Sequence, residues 1–259
     1  MKNHKPGQEF FLDLDFGTRR CLVRIGEDEA LIDKEITLNL NQDLEDKFCY
    51  YLDKEGVTKI AFFSKDTNRY YKLAPTSDWP TFVISSVPMH RKDSPKQDSL
   101  NKIEAIKPKG RVLDTCMGPG YTAILASKKA AQVITFEKDP NILSLARINP
   151  LSCELFESKN IKIIEKDVSQ NLIGFESDYF DCIMHDPPTF TMAKELYSVK
   201  FYLSLKRVLK KGSKMFHYTP LYKIKRGYDF PAKVGRNLKT AGFKKITYSK
   251  EAMGFICSK

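Results

Sequence analysis

Two patterns of hydrophobic and polar positions divide the 259-residue chain. From Phe10 to about Met89, short runs rich in β-branched and aromatic residues are punctuated by Gly, Asp and Asn. Residues 21–25, 57–63, 69–73 and 81–84 are such runs, and their length and spacing predict a small, mostly antiparallel β unit. A polar stretch begins at His90, and Ser94-Pro95 inside it reads as a helix start, because proline's missing N–H costs no bond in a first helical turn. The boundary between the two textures falls near residue 90.

Beyond it, short apolar strands alternate with helical stretches. Residues 112–113, 133–136, 161–164 and 180–184 read as strands, and 122–129, 141–148 and 194–210 as helices. The last helix is expected to stop at Lys211-Gly212, ahead of a strand over 214–218. Alternation at this spacing predicts a doubly wound sheet with helices on both faces. Residues 242–249 and 253–257 predict a closing hairpin with one antiparallel strand, an ending not expected of dehydrogenases. The expected fold is therefore α/β. With that ending the sheet expected over residues 91–259 resembles the Rossmann-like, seven-stranded sheet of methyltransferases, mostly parallel with an antiparallel C-terminal strand, and a small β-rich N-terminal domain is expected over residues 1–90.

Composition narrows the setting. No stretch approaches the ~18 uninterrupted apolar residues of a membrane span, and the first apolar run (10–16) holds two acids, so no signal-peptide core is expected and the cytoplasm is the expected compartment. Six cysteines without any Cys-x-x-Cys pair read as reduced thiols, with Cys116 and Cys182 assigned to the buried sheet. Four histidines without metal-ligand spacing predict no metal. Charge says more. Of the formal +11, residues 191–259 hold 17 basic and 3 acidic side chains, against 26 and 29 in residues 1–190. A one-sided basic field suits a polyanionic partner, and RNA (rRNA or tRNA) is the expected one.

The first candidate chemistry lies in Arg111-Val-Leu-Asp-Thr-Cys-Met-Gly-Pro-Gly-Tyr-Thr122. A buried strand ends in Asp114, a glycine turn follows, and a helix begins. Gly118 and Gly120 let the backbone pass close to a ligand at the carboxyl end of the strand. Dinucleotide sites place pyrophosphate there, which Asp114 would repel. The carboxylate suits the cationic ammonium of a methionyl group instead, so the loop reads as an S-adenosyl-L-methionine site. The next strand ends in Glu137, 23 residues on, near the ~20 expected of a ribose-binding carboxylate. Past the third strand, Asp167 is placed to accept an adenine amino group. The residues expected along the cofactor are Asp114, Thr115, Cys116, Gly118, Gly120, Tyr121, Glu137, Lys138, Asp167, Val168 and Asp186.

The second lies in His185-Asp-Pro-Pro-Thr-Phe190. Two prolines stiffen an extended turn. Asp186 and the Pro187 carbonyl are two acceptors in fixed relation, matching the two hydrogens of an exocyclic NH2 group, while Pro188 rigidifies the turn and Phe190 is a candidate to stack on a flat base. His90, Arg91, His217, Tyr218, Lys225 and Arg226 are candidate substrate contacts. For His90, Arg91, His217 and Tyr218, packing or surface roles remain open.

Asp-Pro-Pro followed by an aromatic resembles the motif of amino-methyltransferases acting on adenine N6 or cytosine N4, here with Thr189 interposed. A longer likeness runs through Phe62-Phe63, Tyr70-Tyr-Lys-Leu73, Val87-Pro-Met-His-Arg91, Val112-Leu-Asp-Thr-Cys116, Gly120-Tyr-Thr122, Glu137-Lys-Asp-Pro140, His185-Asp-Pro-Pro188, Phe216-His-Tyr218 and Lys225-Arg-Gly227. It resembles archaeal class I methyltransferases predicted to modify RNA, though the loop reads Cys-Met-Gly-Pro-Gly where Cys-Thr-Gly-Leu-Gly is expected. The resemblance implies methyl transfer to RNA at cytidine N4, in rRNA. Two alternatives stand beside it: a small-molecule, polyamine or protein glutamine-amide transferase on the same fold, and a catalytically silent RNA-binding module.

Overall fold

The structure, a computed structural model, describes residues 5–90, 94–221 and 229–259. The chain divides into two compact units, Met1–Pro95 with Leu145–Cys153, and Lys96–Ser144 with Glu154–Lys259.

In the first unit, β1 (Glu9–Leu14), β2 (Arg19–Ile25), β3 (Glu29–Ile32) and β4 (Ile36–Asn39) form an antiparallel sheet in that order. Alternation in β2 turns Cys21, Val23 and Ile25 inward, where they meet Ala30 and Ile32 in a small core. A hairpin, β5 (Tyr50–Asp53) and β6 (Gly56–Lys59), precedes a second antiparallel sheet of β7 (Ala61–Ser64), β8 (Arg69–Ala74), β9 (Thr81–Ile84) and β10 (Val87–Pro88). The run at 57–63, read as one strand, is thus two. Chain pairing changes at Ile60, whose N–H donates to the Cys49 carbonyl while its own carbonyl accepts from Leu73 N–H. Apolar periodicity alone does not reveal such a change of partner.

The second unit carries a seven-stranded sheet. Its strands are β11 (Gly110–Asp114), β12 (Ala130–Phe136), β13 (Ile161–Ile164), β14 (Phe180–His185), β15 (Leu209–Tyr218), β16 (Lys244–Ser249) and β17 (Gly254–Ser258). Spatially the order is β13-β12-β11-β14-β15-β17-β16, with every pairing parallel except those of β17. Helices α1 (Pro95–Ile106), α2 (Tyr121–Ser127), α3 (Pro140–Ile148), α4 (Glu154–Glu157), α5 (Val168–Asn171), α6 (Val199–Val208) and α7 (Phe230–Thr240) alternate with the strands. This is the expected Rossmann-like methyltransferase sheet. From β11 the chain moves outward one way to β12 and β13, then returns to β14 on the other side. The carboxyl ends of β11 and β14 therefore flank the switch point, where open sheets of this kind bind ligands.

Three local expectations change. The helix read over 194–210 is a 3-10 turn at Lys194–Tyr197 followed by α6. Ser198, in extended conformation, breaks them apart and caps α6 by accepting from Phe201 N–H. Gly212 is not a helix stop. It lies within β15 at φ +77°, where the register against β14 shifts after Leu209. Cys116 lies past the end of β11 and is half-buried, whereas Cys182 is buried within β14. Among the described residues, no helix is long and apolar enough to cross a membrane.

Candidate active site

Each candidate acid of the cofactor reading sits at or just past the end of a neighbouring strand. Asp114 closes β11 and is 1% exposed. Its Oδ2 accepts from Thr135 Oγ1 at 2.7 Å, and its Oδ1 is buried without a hydrogen-bond partner among the described residues. A buried carboxylate oxygen left unpaired is costly. Burial, with Asp186 and Glu137 adding repulsion, pushes its carboxyl up to about 7.

Glu137 follows β12 and is half-buried. Its Oε1 accepts from the N–H groups of Lys138 and Asp139, both at 2.9 Å, and its Oε2 from Gly118 N–H at 3.3 Å. It thus ties the glycine loop to the end of the second strand. Burial raises its carboxyl to about 7, against the opposing pull of those three bonds. The loop takes the left-handed conformations that glycine allows, with φ +53° at Gly118 and +79° at Gly120. A Cβ on Gly120 would stand 2.1 Å from Leu155 Cδ1, so glycine is also required by packing. Tyr121, which opens α2, is buried. Asp167 caps α5 through Ser169 N–H and pairs with Lys138 Nζ at 3.0 Å, while Val168 packs in the core.

Thr115 has a different task from the one expected of it. Its Oγ1 is 2.7 Å from Nδ1 of the fully buried His185, whose Nε2 is 3.0 Å from the Leu196 carbonyl. A carbonyl only accepts, so Nε2 carries the proton and Nδ1 accepts from Thr115. His217 is its neighbour in register on β15, with ring centroids 4.5 Å apart. His217 Nδ1 donates to the Tyr218 carbonyl at 2.8 Å, and Nε2 accepts from Tyr202 Oη at 2.6 Å. Burial lowers His185 well below the usual range and His217 to about 4, so both are neutral. His217 therefore does not face a substrate: it has no accessible surface, and both ring nitrogens are bonded inside the core.

The Asp-Pro-Pro turn leaves β14 beside the Asp114 loop. Asp186 retains 22% side-chain exposure. Its Oδ2 is 2.6 Å from Nζ of Lys102, a side chain only 3% exposed, which also lies 2.6 Å from Asp98 Oδ2 and over the Tyr218 ring at 4.6 Å. Two carboxylates hold this lysine charged despite its burial. Among the described residues nothing donates to the Pro187 carbonyl, whereas the Pro188 carbonyl accepts from Tyr197 Oη at 2.8 Å. Phe190 is half-buried and packs edge-on against Tyr197 and Phe230, with Lys233 Nζ 4.8 Å from its ring centre. These contacts fix the orientation of the ring beside the Asp-Pro-Pro turn.

The structure thus brings Asp114, Gly118, Gly120, Glu137, Lys138, Asp167, Asp186 and Tyr218 to the ends of adjacent strands. His90 belongs to the first unit, where its Nδ1 lies 3.1 Å from Thr81 Oγ1. Arg91, Lys225 and Arg226 lie outside the described residues. Sequence reading missed Asp98, Lys102 and Tyr197. A signal existed for the first two: at helical spacing Asp98 and Lys102 fall on the same α1 stripe as Ile103 and Ile106, all of them buried.

Strand order defines a Rossmann-like methyltransferase fold, and the candidate acids lie at its switch point. No family model matches the chain. It is 40% identical over 273 residues to the uncharacterized protein MJ1233 of Methanocaldococcus jannaschii, spanning 99% of this chain and 91% of that protein, and it belongs to the same family. Among solved structures it is similar to a spermidine synthase in complex with the transition state analogue AdoDATO, with TM-score 0.61 and 14% identity over 99% of this chain and 83% of that one. The spermidine synthase of Thermotoga maritima gives TM-score 0.58 and 17% identity over 84% and 81%. At such identities the likeness is one of fold.

Proposed function

We propose that the chain is an S-adenosyl-L-methionine-dependent methyltransferase acting on an exocyclic amino nitrogen of a nucleobase in RNA, cytidine N4 in rRNA. The observation that carries the cofactor is the unpaired, buried Oδ1 of Asp114 at the switch point, an acceptor that an α-ammonium would satisfy. Glu137 keeps acceptor capacity for ribose hydroxyls beyond its three backbone bonds, since a carboxylate offers about four lone-pair sites. Asp167 borders the same end of the sheet. When bound, the cofactor supplies a methyl group on a cationic sulfur.

The chain's own part is positioning. With Oδ2 of Asp186 taken by Lys102, Oδ1 and the Pro187 carbonyl are left to accept the two hydrogens of an NH2 group. Holding both aims the nitrogen lone pair at the methyl carbon. No strong base is needed, because the amine sheds its proton after the methyl arrives. RNA as the partner is supported by the basic C-terminal quarter, in which Lys211, Lys214, Arg236, Lys239 and Lys244 are exposed.

Incubation with methyl-labelled cofactor and total RNA, followed by mass spectrometry of the nucleosides, tests the reading. Asp186→Ala should abolish transfer while affinity for S-adenosylhomocysteine stays nearly unchanged, and Asp186→Asn, which keeps one acceptor oxygen, should retain part of the rate. An Ala variant as fast as wild type places the reacting centre elsewhere. A second reading, a polyamine-type transferase, is favoured by the 99% coverage in the spermidine synthase likeness. Labelled polyamine in place of labelled RNA would select it.

A further inference from the structure

Lys102 is an odd residue to find where it is. It lies on the inward stripe of α1, 3% exposed, where an apolar side chain would fill the space without desolvating a charge. Its ammonium is divided between two carboxylates at 2.6 Å, one of them Asp186, and it covers the face of Tyr218, the last residue of β15. Of the two acids, Asp98 is 5% exposed and Asp186 is 22% exposed, so only the latter opens toward a ligand. The two prolines stiffen the backbone after Asp186 but leave its side-chain torsions free. Lys102 removes that freedom.

We propose that Lys102 is a positioning residue for the reacting carboxylate: it clamps Asp186 Oδ2 and keeps the group ionised, so that Oδ1 alone is offered to the acceptor amine, while Asp98 competes for the same ammonium and sets how strongly Asp186 is held. The inference rests on the reading of Asp186 given above. A protonated Asp186 could still accept one bond, but it would compete as a donor for the nitrogen lone pair. The groups that face Asp186 are Lys102 and Asp98 from α1, Asp114 at the end of β11 and Cys116 beyond it, and the adjacent His185 is neutral. Burial raises the Asp186 carboxyl, Asp98 raises it further, and Lys102 opposes both. Neutralising Lys102 and neutralising Asp98 must therefore move Asp186 in opposite directions, which a merely structural salt bridge would not make visible in the rate.

The test uses Lys102→Met and Asp98→Asn in the full chain, with two readouts. Aspartate carboxyls labelled with carbon-13 are titrated by NMR, with Asp186 assigned by its loss in Asp186→Asn. Single-turnover methyl transfer is followed against pH. The expected result is an Asp186 midpoint that rises by a pH unit or more in Lys102→Met and falls in Asp98→Asn, with the acid limb of the rate moving alongside. At pH 7 the Lys102→Met rate should drop by roughly 100-fold, the scale of a misplaced reacting group, with S-adenosylhomocysteine affinity within about threefold. Midpoints that stay put or shift together overturn the inference, as does a wild-type rate in Lys102→Met. Where Lys102→Met does not fold, Asp98→Asn decides alone: a downward shift supports the clamp and no shift overturns it. The carboxyl titration needs no methyl acceptor, so it judges the clamp even if product analysis shows that the acceptor is not an amine.

Discussion

Asp114→Asn should make the ligand-free protein more stable at pH 8 while weakening its hold on the cofactor. The wild-type carboxyl is fully buried, bonded through one oxygen to Thr135 and unpaired at the other, and is raised from 3.8 to about 7. In the unfolded chain it ionises near pH 4. Between pH 4 and 7 the folded state therefore binds more protons than the unfolded one, so stability falls as pH rises through that window and is constant above it. A displacement of about three pH units corresponds to roughly 4 kcal/mol at pH 8. Asparagine removes the charge but leaves an amide group where Oδ1 had no partner, which costs about 1–3 kcal/mol. The net expectation at pH 8 is a gain of roughly 1–3 kcal/mol. At pH 4, where the folded acid is neutral and the unfolded one only about half ionised, the charge penalty has nearly gone and the gain disappears or reverses. Urea titrations of both proteins from pH 4 to 8, compared as a difference, isolate this group from all others that titrate. Calorimetry with S-adenosylhomocysteine should show affinity lost in the same variant, by an amount near the 1.5–3 kcal/mol typical of a hydrogen bond to a charged group. A variant less stable than wild type at pH 8, or a difference that does not change with pH, would refute the claim that ionising this buried, half-paired carboxyl costs stability.

Gly120→Ala meets two obstacles, a φ of +79° and a Cβ 2.1 Å from Leu155 Cδ1, and should cost about 2–4 kcal/mol from backbone strain and overpacking together. A urea midpoint equal to that of wild type would show that the loop relaxes freely. His217, lowered to about 4 by burial against 6.5 unfolded, withdraws stability as pH falls through that interval, roughly 2 kcal/mol between pH 7 and 5. His217→Gln, which keeps an acceptor for Tyr202, should lose that part of the acid sensitivity, and an unchanged pH dependence in denaturant titrations would count against the neutral buried ring.

Much of this protein follows from the order of its residues alone. Short apolar runs alternating with helical stretches point to a doubly wound sheet, so the strands ending at Asp114, Phe136, Ile164 and His185 were legible from local pattern. Strand ends follow directly from strand limits, which is why Asp114, Glu137 and Asp186 were legible as acids at one edge. Side-chain partners across the sheet were not, because they join positions far apart in the chain. Lys102 meets Asp186 across 84 residues, and Thr115 meets His185 across 70. Tertiary packing also turned His217 inward, since β15 is covered on that face by Tyr202 of α6, and it engaged Phe190 among Tyr197 and Phe230. Sequence sets which residues stand at the strand ends, because periodicity is local. Which of them are paired, buried or left with an open oxygen is set by neighbours that only the folded chain brings within bonding distance.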